Sequence, residues 1–131
     1  MADLYIDGAS AGNPGPSGAG IVLINDGIAY EKAIPLPPLT NHEAEWHALI
    51  AGMNFCKEHG VRNVFVKTDS QLIERAIEKE YIKNPLYVPF YEQVLALSKH
   101  FDLFFVKWIP ENKNKKADLL ARHAIHLSKR S

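Results

Sequence analysis

Four carboxylates carry the chemistry that this sequence can do. Asp7 ends an apolar strand pattern, Glu45 falls in the first turn of a helical one, Asp69 closes a second strand just before a helix, and Asp118 opens the last helix. Acids gathered at one place repel one another and hold raised pKa values unless cations neutralise them. Oxygen-only donors with open coordination positions suit Mg²⁺ or Mn²⁺, and a pair of such ions about 4 Å apart clamps the attacking and leaving oxygens of an in-line phosphoryl displacement. Three of the acids also have a plainer reading. Asp7-Gly8 is an ordinary turn dipeptide, Glu45 can complement its helix dipole, and Asp69 can cap the helix that follows it.

The elements that must position these acids follow from periodicity. The first strand, with Leu4 and Ile6 on one side and Tyr5 and Asp7 on the other, runs into a glycine-rich turn. There Gly8, Gly12 and Gly15 are expected to take positive φ and to admit another molecule's backbone, and Asn13-Pro14-Gly15-Pro16 fixes a reversal. Residues 20–24 read as a buried strand, Asn25-Asp26-Gly27 as a hairpin turn and 28–34 as a returning strand, ended by Pro35, Pro37 and Pro38. Thr40 and Glu43 form a capping box for a helix to about residue 59, on which Glu45, Leu49, Gly52 and Cys56 share the inward face. A strand over 61–68, a helix over 70–81, a helix over 88–100 and a Phe-rich strand over 103–109 follow. A polar, mostly basic loop over 111–116 then leads to a final helix with Ala117, Leu120, Ala121 and Ala124 as its packing stripe.

A chain of 131 residues, 47% hydrophobic and 23% charged, suits a single domain over 1–131 with one core. Nothing resembles a signal peptide and no apolar run nears the ~20 residues of a membrane span, so a cytoplasmic protein with no membrane partner is expected. Cys56 reads as a buried small hydrophobe. Net charge is zero, yet residues 1–60 carry two basic against seven acidic side chains and residues 107–131 carry seven against two. An acidic cluster beside a basic segment suits a site for cations and a polyanion together, although a basic helix is also an ordinary solvated face.

Four motifs in order then identify a resemblance: Asp7-Gly8-Ala9-Ser10 with Gly12-Asn13-Pro14-Gly15; Thr40, Asn41 and Glu45; Asp69-Ser70-Gln71; and Trp108, Pro110, Asn114, Ala117 and Asp118. Over nearly its whole length the chain resembles type-1 ribonuclease H. The resemblance implies an α/β ribonuclease H-like fold, a five-stranded mixed sheet of order 3-2-1-4-5 with helices on both faces. It further implies hydrolysis of the RNA strand of an RNA/DNA hybrid, leaving 5′-phosphate and 3′-hydroxyl ends, with Asp7, Glu45, Asp69 and Asp118 holding two Mg²⁺ ions, Mn²⁺ being an alternative. A monomer is expected. Gly8, Asn13, Thr40, Asn41 and Gln71 become candidates for reading the hybrid, because only the 2′-hydroxyl tells RNA from DNA at a given sugar.

Several residues depart from the family pattern. Lys113 stands where many members carry a loop His, and is a candidate for holding a phosphate or an ordinary solvated lysine. Glu43 replaces an Arg expected to meet phosphate, and is expected to repel it. The segment 79–88 is too short for the basic handle of longer members. A catalytically weak or silent nucleic-acid-binding relative is therefore the alternative reading, with another nuclease of the same broad fold behind it.

Overall fold

The structure, a computed structural model, describes residues 1–129. Arg130, part of the basic C-terminal tally, lies outside them. Five strands form one mixed sheet: β1 (Ala2–Ser10), β2 (Gly15–Asn25), β3 (Ile28–Leu39), β4 (Asn63–Thr68) and β5 (Leu103–Trp108), in the order β3-β2-β1-β4-β5. The first three strands pair antiparallel as a meander. β4 joins β1 in parallel and β5 joins β4 in parallel, as the intervening helices require. The helices are α1 (Asn41–Glu58), α2 (Gln71–Lys79), α3 (Val88–Ser98) and α4 (Lys115–Ser128).

Alternation along β1 decides which side holds the core. Leu4 and Ile6 are buried under α1, where Gly52 sits against both of them, while Tyr5 and Asp7 face the other side of the sheet. The core also takes Trp46, Leu49 and Met53 of α1, Val64 and Val66 of β4, Ile73 of α2 and Val94 of α3, all fully buried. Cys56 lies among them, its thiol pushed up to about 12 by burial, so it packs and does not react.

On the second face α4 lies across β1, β2 and β3. Its stripe of Ala117, Ala121 and Ala124 is buried against Gly18 and Gly20 of β2. A Cβ at Gly20 would stand 2.0 Å from the Ala117 carbonyl oxygen, so glycine on the strand and alanine on the helix together set how closely α4 approaches.

Boundaries differ from the periodic reading at three strands, and β2 begins at Gly15 instead of residue 20. β3 does not stop at the prolines but runs through Pro35, Pro37 and Pro38 to Leu39. It is an edge strand, so a proline lacking its N–H costs no ladder bond on the outer side. Gly8 and Ser10 likewise belong to β1, and the glycines with positive φ are Gly27 and Gly60 instead of Gly8, Gly12 or Gly15.

Candidate active site

The acids reach one rim from both faces of the sheet. Asp7 points to the α4 side, and Asp118 comes from the first turn of α4. Glu45 comes from the first turn of α1, which is able to cross β1 so closely because residue 8 is glycine: a Cβ there would stand 2.1 Å from the Ala44 carbonyl oxygen and 2.6 Å from the Glu45 nitrogen. The close backbone approach at Gly8 is thus made by the protein's own helix. Asp69 follows β4, next to β1 in the sheet.

Asp69 is free of capping duty. Ser70 caps α2, its Oγ accepting from the Ile73 N–H at 3.2 Å, and the same hydroxyl donates to Glu45 Oε2 at 2.7 Å. One serine therefore ties the acid of α1 to the strand-helix junction that carries Asp69. His42 Nδ1 lies 3.3 Å from the same Glu45 oxygen. Asn114, 1% exposed, donates from Nδ2 to the Ile6 carbonyl at 2.8 Å and stands 3.5 Å from Asp69 Oδ2, anchoring the start of α4 to β1. Trp108 donates its indole N–H to the Asp69 carbonyl at 3.1 Å, and Arg122 Nη2 lies 2.7 Å from Asp118 Oδ2.

Asp7, Glu45, Asp69 and Asp118 line one cavity of about 220 Å³ together with Gly8, Ala9 and Glu111. Glu111 is the acid that sequence reasoning passed over, since it sits in a stretch that reads as a basic loop; the structure folds Glu111–Lys113 into a single 3-10 turn that brings it to the rim. The Asp7 carboxyl is pushed up to about 8, first by burial, then by the Asp69 charge, by a proton shared with Asp118 and by the Asp118 and Glu45 charges. Asp69 is also raised, by burial foremost, against the lowering effect of Asn114, with Glu111, Glu45 and Asp118 adding to the rise. Among the described residues no three of these side chains close on a single ion as they stand. The donor set nevertheless fits hard divalent cations, being all oxygen and carrying more negative charge than the site keeps ionised alone.

The remaining candidates divide into two groups. Asn13, Thr40 and Asn41 brace the glycine-rich turn against α1: Asn41 Oδ1 accepts from the Ser10 N–H at 3.0 Å, and Asn13 Oδ1 accepts from the Asn41 N–H at 3.2 Å. Thr40 and Glu43 complete a reciprocal capping box, so the Glu43 carboxylate folds back onto the Thr40 N–H, which holds its pKa below the ordinary value. Gln71 instead lines a groove of about 840 Å³ with His42, Arg75, Lys79, Lys83, Tyr81 and Tyr87. Those cations supply, from α2 and the short segment after it, positive charge that the missing handle led us not to expect. Lys113 is not at the acidic cavity. It lines a separate cavity of about 250 Å³ with Tyr5, Val22, Ile24 and Lys116.

Comparison with known proteins adds five findings. The family model described as reverse transcriptase-like matches residues 5–124. EbsB of Enterococcus faecalis is 39% identical over 127 residues, spanning 95% of this chain and 94% of its own. Ribonuclease HI of Halobacterium salinarum is 34% identical over 92% of this chain, which spans 62% of that longer protein. The crystal structure of RNase H1 from the same archaeon superposes with a TM-score of 0.91 at 32% identity, covering 95% of this chain and 97% of that one. LC11-RNase H1, solved in complex with an RNA/DNA hybrid, superposes with a TM-score of 0.90 at 29% identity, covering 98% and 99%.

Proposed function

This chain belongs to the ribonuclease H family, and from that premise we propose that it is a divalent-metal-dependent endoribonuclease hydrolysing the RNA strand of RNA/DNA hybrids. One observation carries the proposal: four acids from four separate elements, far apart in sequence, line a single cavity at the rim of the sheet. Asp7, Glu45, Asp69 and Asp118 would hold two Mg²⁺ ions, or Mn²⁺. When bound, such a pair supplies charge neutralisation for both the attacking and the leaving oxygen of an in-line displacement, ending in a 5′-phosphate and a 3′-hydroxyl.

The chain's own residues do the positioning. Ser70 and His42 hold the Glu45 carboxylate in one orientation, and Asn114 does the same for Asp69, so the acids are set before substrate arrives. Asn13 and Asn41 keep the loop after β1 against the start of α1, and their side-chain amides are exposed beside the rim, where 2′-hydroxyls of a bound RNA strand would pass. Arg75, Lys79 and Lys83 line a groove of about 840 Å³ and offer cations to a second phosphate backbone, contacts that recognise a hybrid without reading its bases. The protein would act as a monomer.

The test is a gel assay of purified protein on an RNA/DNA hybrid, duplex RNA and duplex DNA, with Mg²⁺, Mn²⁺ or EDTA. Cleavage of the RNA strand of the hybrid alone, abolished by EDTA, is the expected result. Equal cleavage of duplex DNA, or metal-independent cleavage, would overturn the reading.

A further inference from the structure

Among the described residues, half of the sheet's second face carries no helix. α4 lies over β1, β2 and β3, and the side chains of β5 that point the same way remain open: Leu103 is 45% and Phe105 48% exposed, with Phe65 of β4 half-buried beside them. Register arranges this open area in rows. Asn63 pairs with Leu103, then Asp3, Phe65 and Phe105 lie side by side, then Tyr5, Lys67 and Lys107. Asp7 is two residues beyond Tyr5 on the same side of β1, roughly 7 Å farther along. The open rows therefore lead directly to the acidic rim.

We propose that this half-face is a track for single-stranded nucleic acid continuing beyond the hybrid segment held at the carboxylates, an inference that rests on the nuclease reading. The Phe65 and Phe105 rings lie 6.1 Å apart at 49° and offer an aromatic surface at the outer edge of the sheet. Lys67 is engaged within the track: its ammonium stands 3.1 Å from Asp3 and lies over the Tyr5 and Phe65 rings at 5.0 and 5.7 Å. That pairing neutralises the carboxylate that the rows below Asp7 contain. Lys107 and, beside Tyr5, Lys113 form no ion pair among the described residues, so the track presents uncompensated positive charge next to the rim. Rings interleaved with lysines suit a single strand, whose bases stack without regard to sequence while its phosphates follow the cations. A protein partner fits less well, because lysine is depleted from interface cores.

The track is tested by anisotropy in EDTA with three labelled probes: a blunt hybrid of about twelve base pairs, the same hybrid with a single-stranded tail of about eight nucleotides at either end, and the tail strand alone. A tail whose bases stack on the rings is expected to tighten binding about tenfold. Phe105→Ala and Lys107→Glu should each remove most of that increment, Phe105→Tyr should restore it, and all three should cut the blunt hybrid as the wild type does. An increment that is absent, or that survives Phe105→Ala combined with Lys107→Glu, overturns the track. So does light scattering that shows a dimer lost in Phe105→Ala. Cleavage of blunt hybrid without any tail effect leaves the nuclease reading standing and removes the track; Phe105-dependent tail binding without cleavage does the reverse.

Discussion

The acidic cavity and the basic groove meet at the first turn of α1, and they are built in opposite ways. The cavity is small and its walls are fixed: its acids come from four elements and are held by Ser70, His42, Asn114 and Arg122. The groove is almost four times larger, and Arg75, Lys79 and Lys83 lie along α2 and the segment after it. His42 belongs to both, lining the groove while bonded to Glu45. The two regions divide the labour between them. Chemistry demands placement within fractions of an ångström, whereas backbone binding demands only charge at about the right spacing.

That division breaks most sharply at the cavity. Asp7→Asn and Asp69→Asn should each lower hybrid cleavage by about a thousandfold or more, equivalent to about 4 kcal/mol of transition-state stabilisation, while hybrid affinity changes little. Because each replaces an acid that burial and its neighbours make costly to ionise, both variants should melt higher than wild type without metal, by about 4–8 °C for 1–2 kcal/mol, and lose the rise that Mn²⁺ gives the wild type. Variants that melt lower, or a wild type indifferent to Mn²⁺, would contradict the acidic site.

At the groove the opposite signature is expected. Arg75→Glu combined with Lys79→Glu should weaken hybrid binding by about tenfold to a hundredfold and flatten its dependence on salt by roughly one counterion per lost phosphate contact, with kcat retained. A fall in kcat at saturating hybrid would mean that the groove and the cavity are not separable.

A smaller effect concerns pH. Asp7 titrates at about 8 in the folded protein against an ordinary 3.8, and Asp69 is shifted in the same direction, so the metal-free fold binds protons more tightly than the unfolded chain does. Stability of the metal-free protein is therefore fully present below the unfolded value and falls as pH rises through about 8. Melting in EDTA at pH 6 and pH 9 should show the higher Tm at pH 6, and Asp7→Asn should narrow the gap. The smallest change belongs to the boundary between the two regions: Thr40→Ala removes half of the capping box of α1 and should cost about 1 kcal/mol of stability with little loss of cleavage.

Much of this arrangement was legible in the sequence, because strand alternation and helix starts are local. Leu4 and Ile6 against Tyr5 and Asp7, the Thr40–Glu43 box and the alanine stripe of α4 all declare themselves within a few residues. What stayed hidden depends on partners distant in the chain. Gly8 reads as a turn residue until α1 is seen to lie against it. Asp69 and Ser70 are equally good caps on paper, and only the Glu45 carboxylate waiting for the Ser70 hydroxyl separates them. Glu111 and Lys113 differ by two positions, yet one turn of 3-10 helix sends the first to the acids and the second to the far side of Asn114. The prolines of β3 mislead because a breaker inside a sheet is harmless at its edge.

The close seating of α4 on Gly18 and Gly20 has a consequence for how the acidic site is completed. Asp7, Glu45 and Asp69 all precede in the chain the helix that brings Asp118, and that helix packs across all three strands of the β1–β2–β3 meander. A chain interrupted before α4 would keep three of its acids but lack both the fourth and the Asn114 amide that anchors Asp69. The capacity to cut hybrids therefore depends on α4: without its seat on Gly18 and Gly20 the site has neither its fourth acid nor the anchor of Asp69.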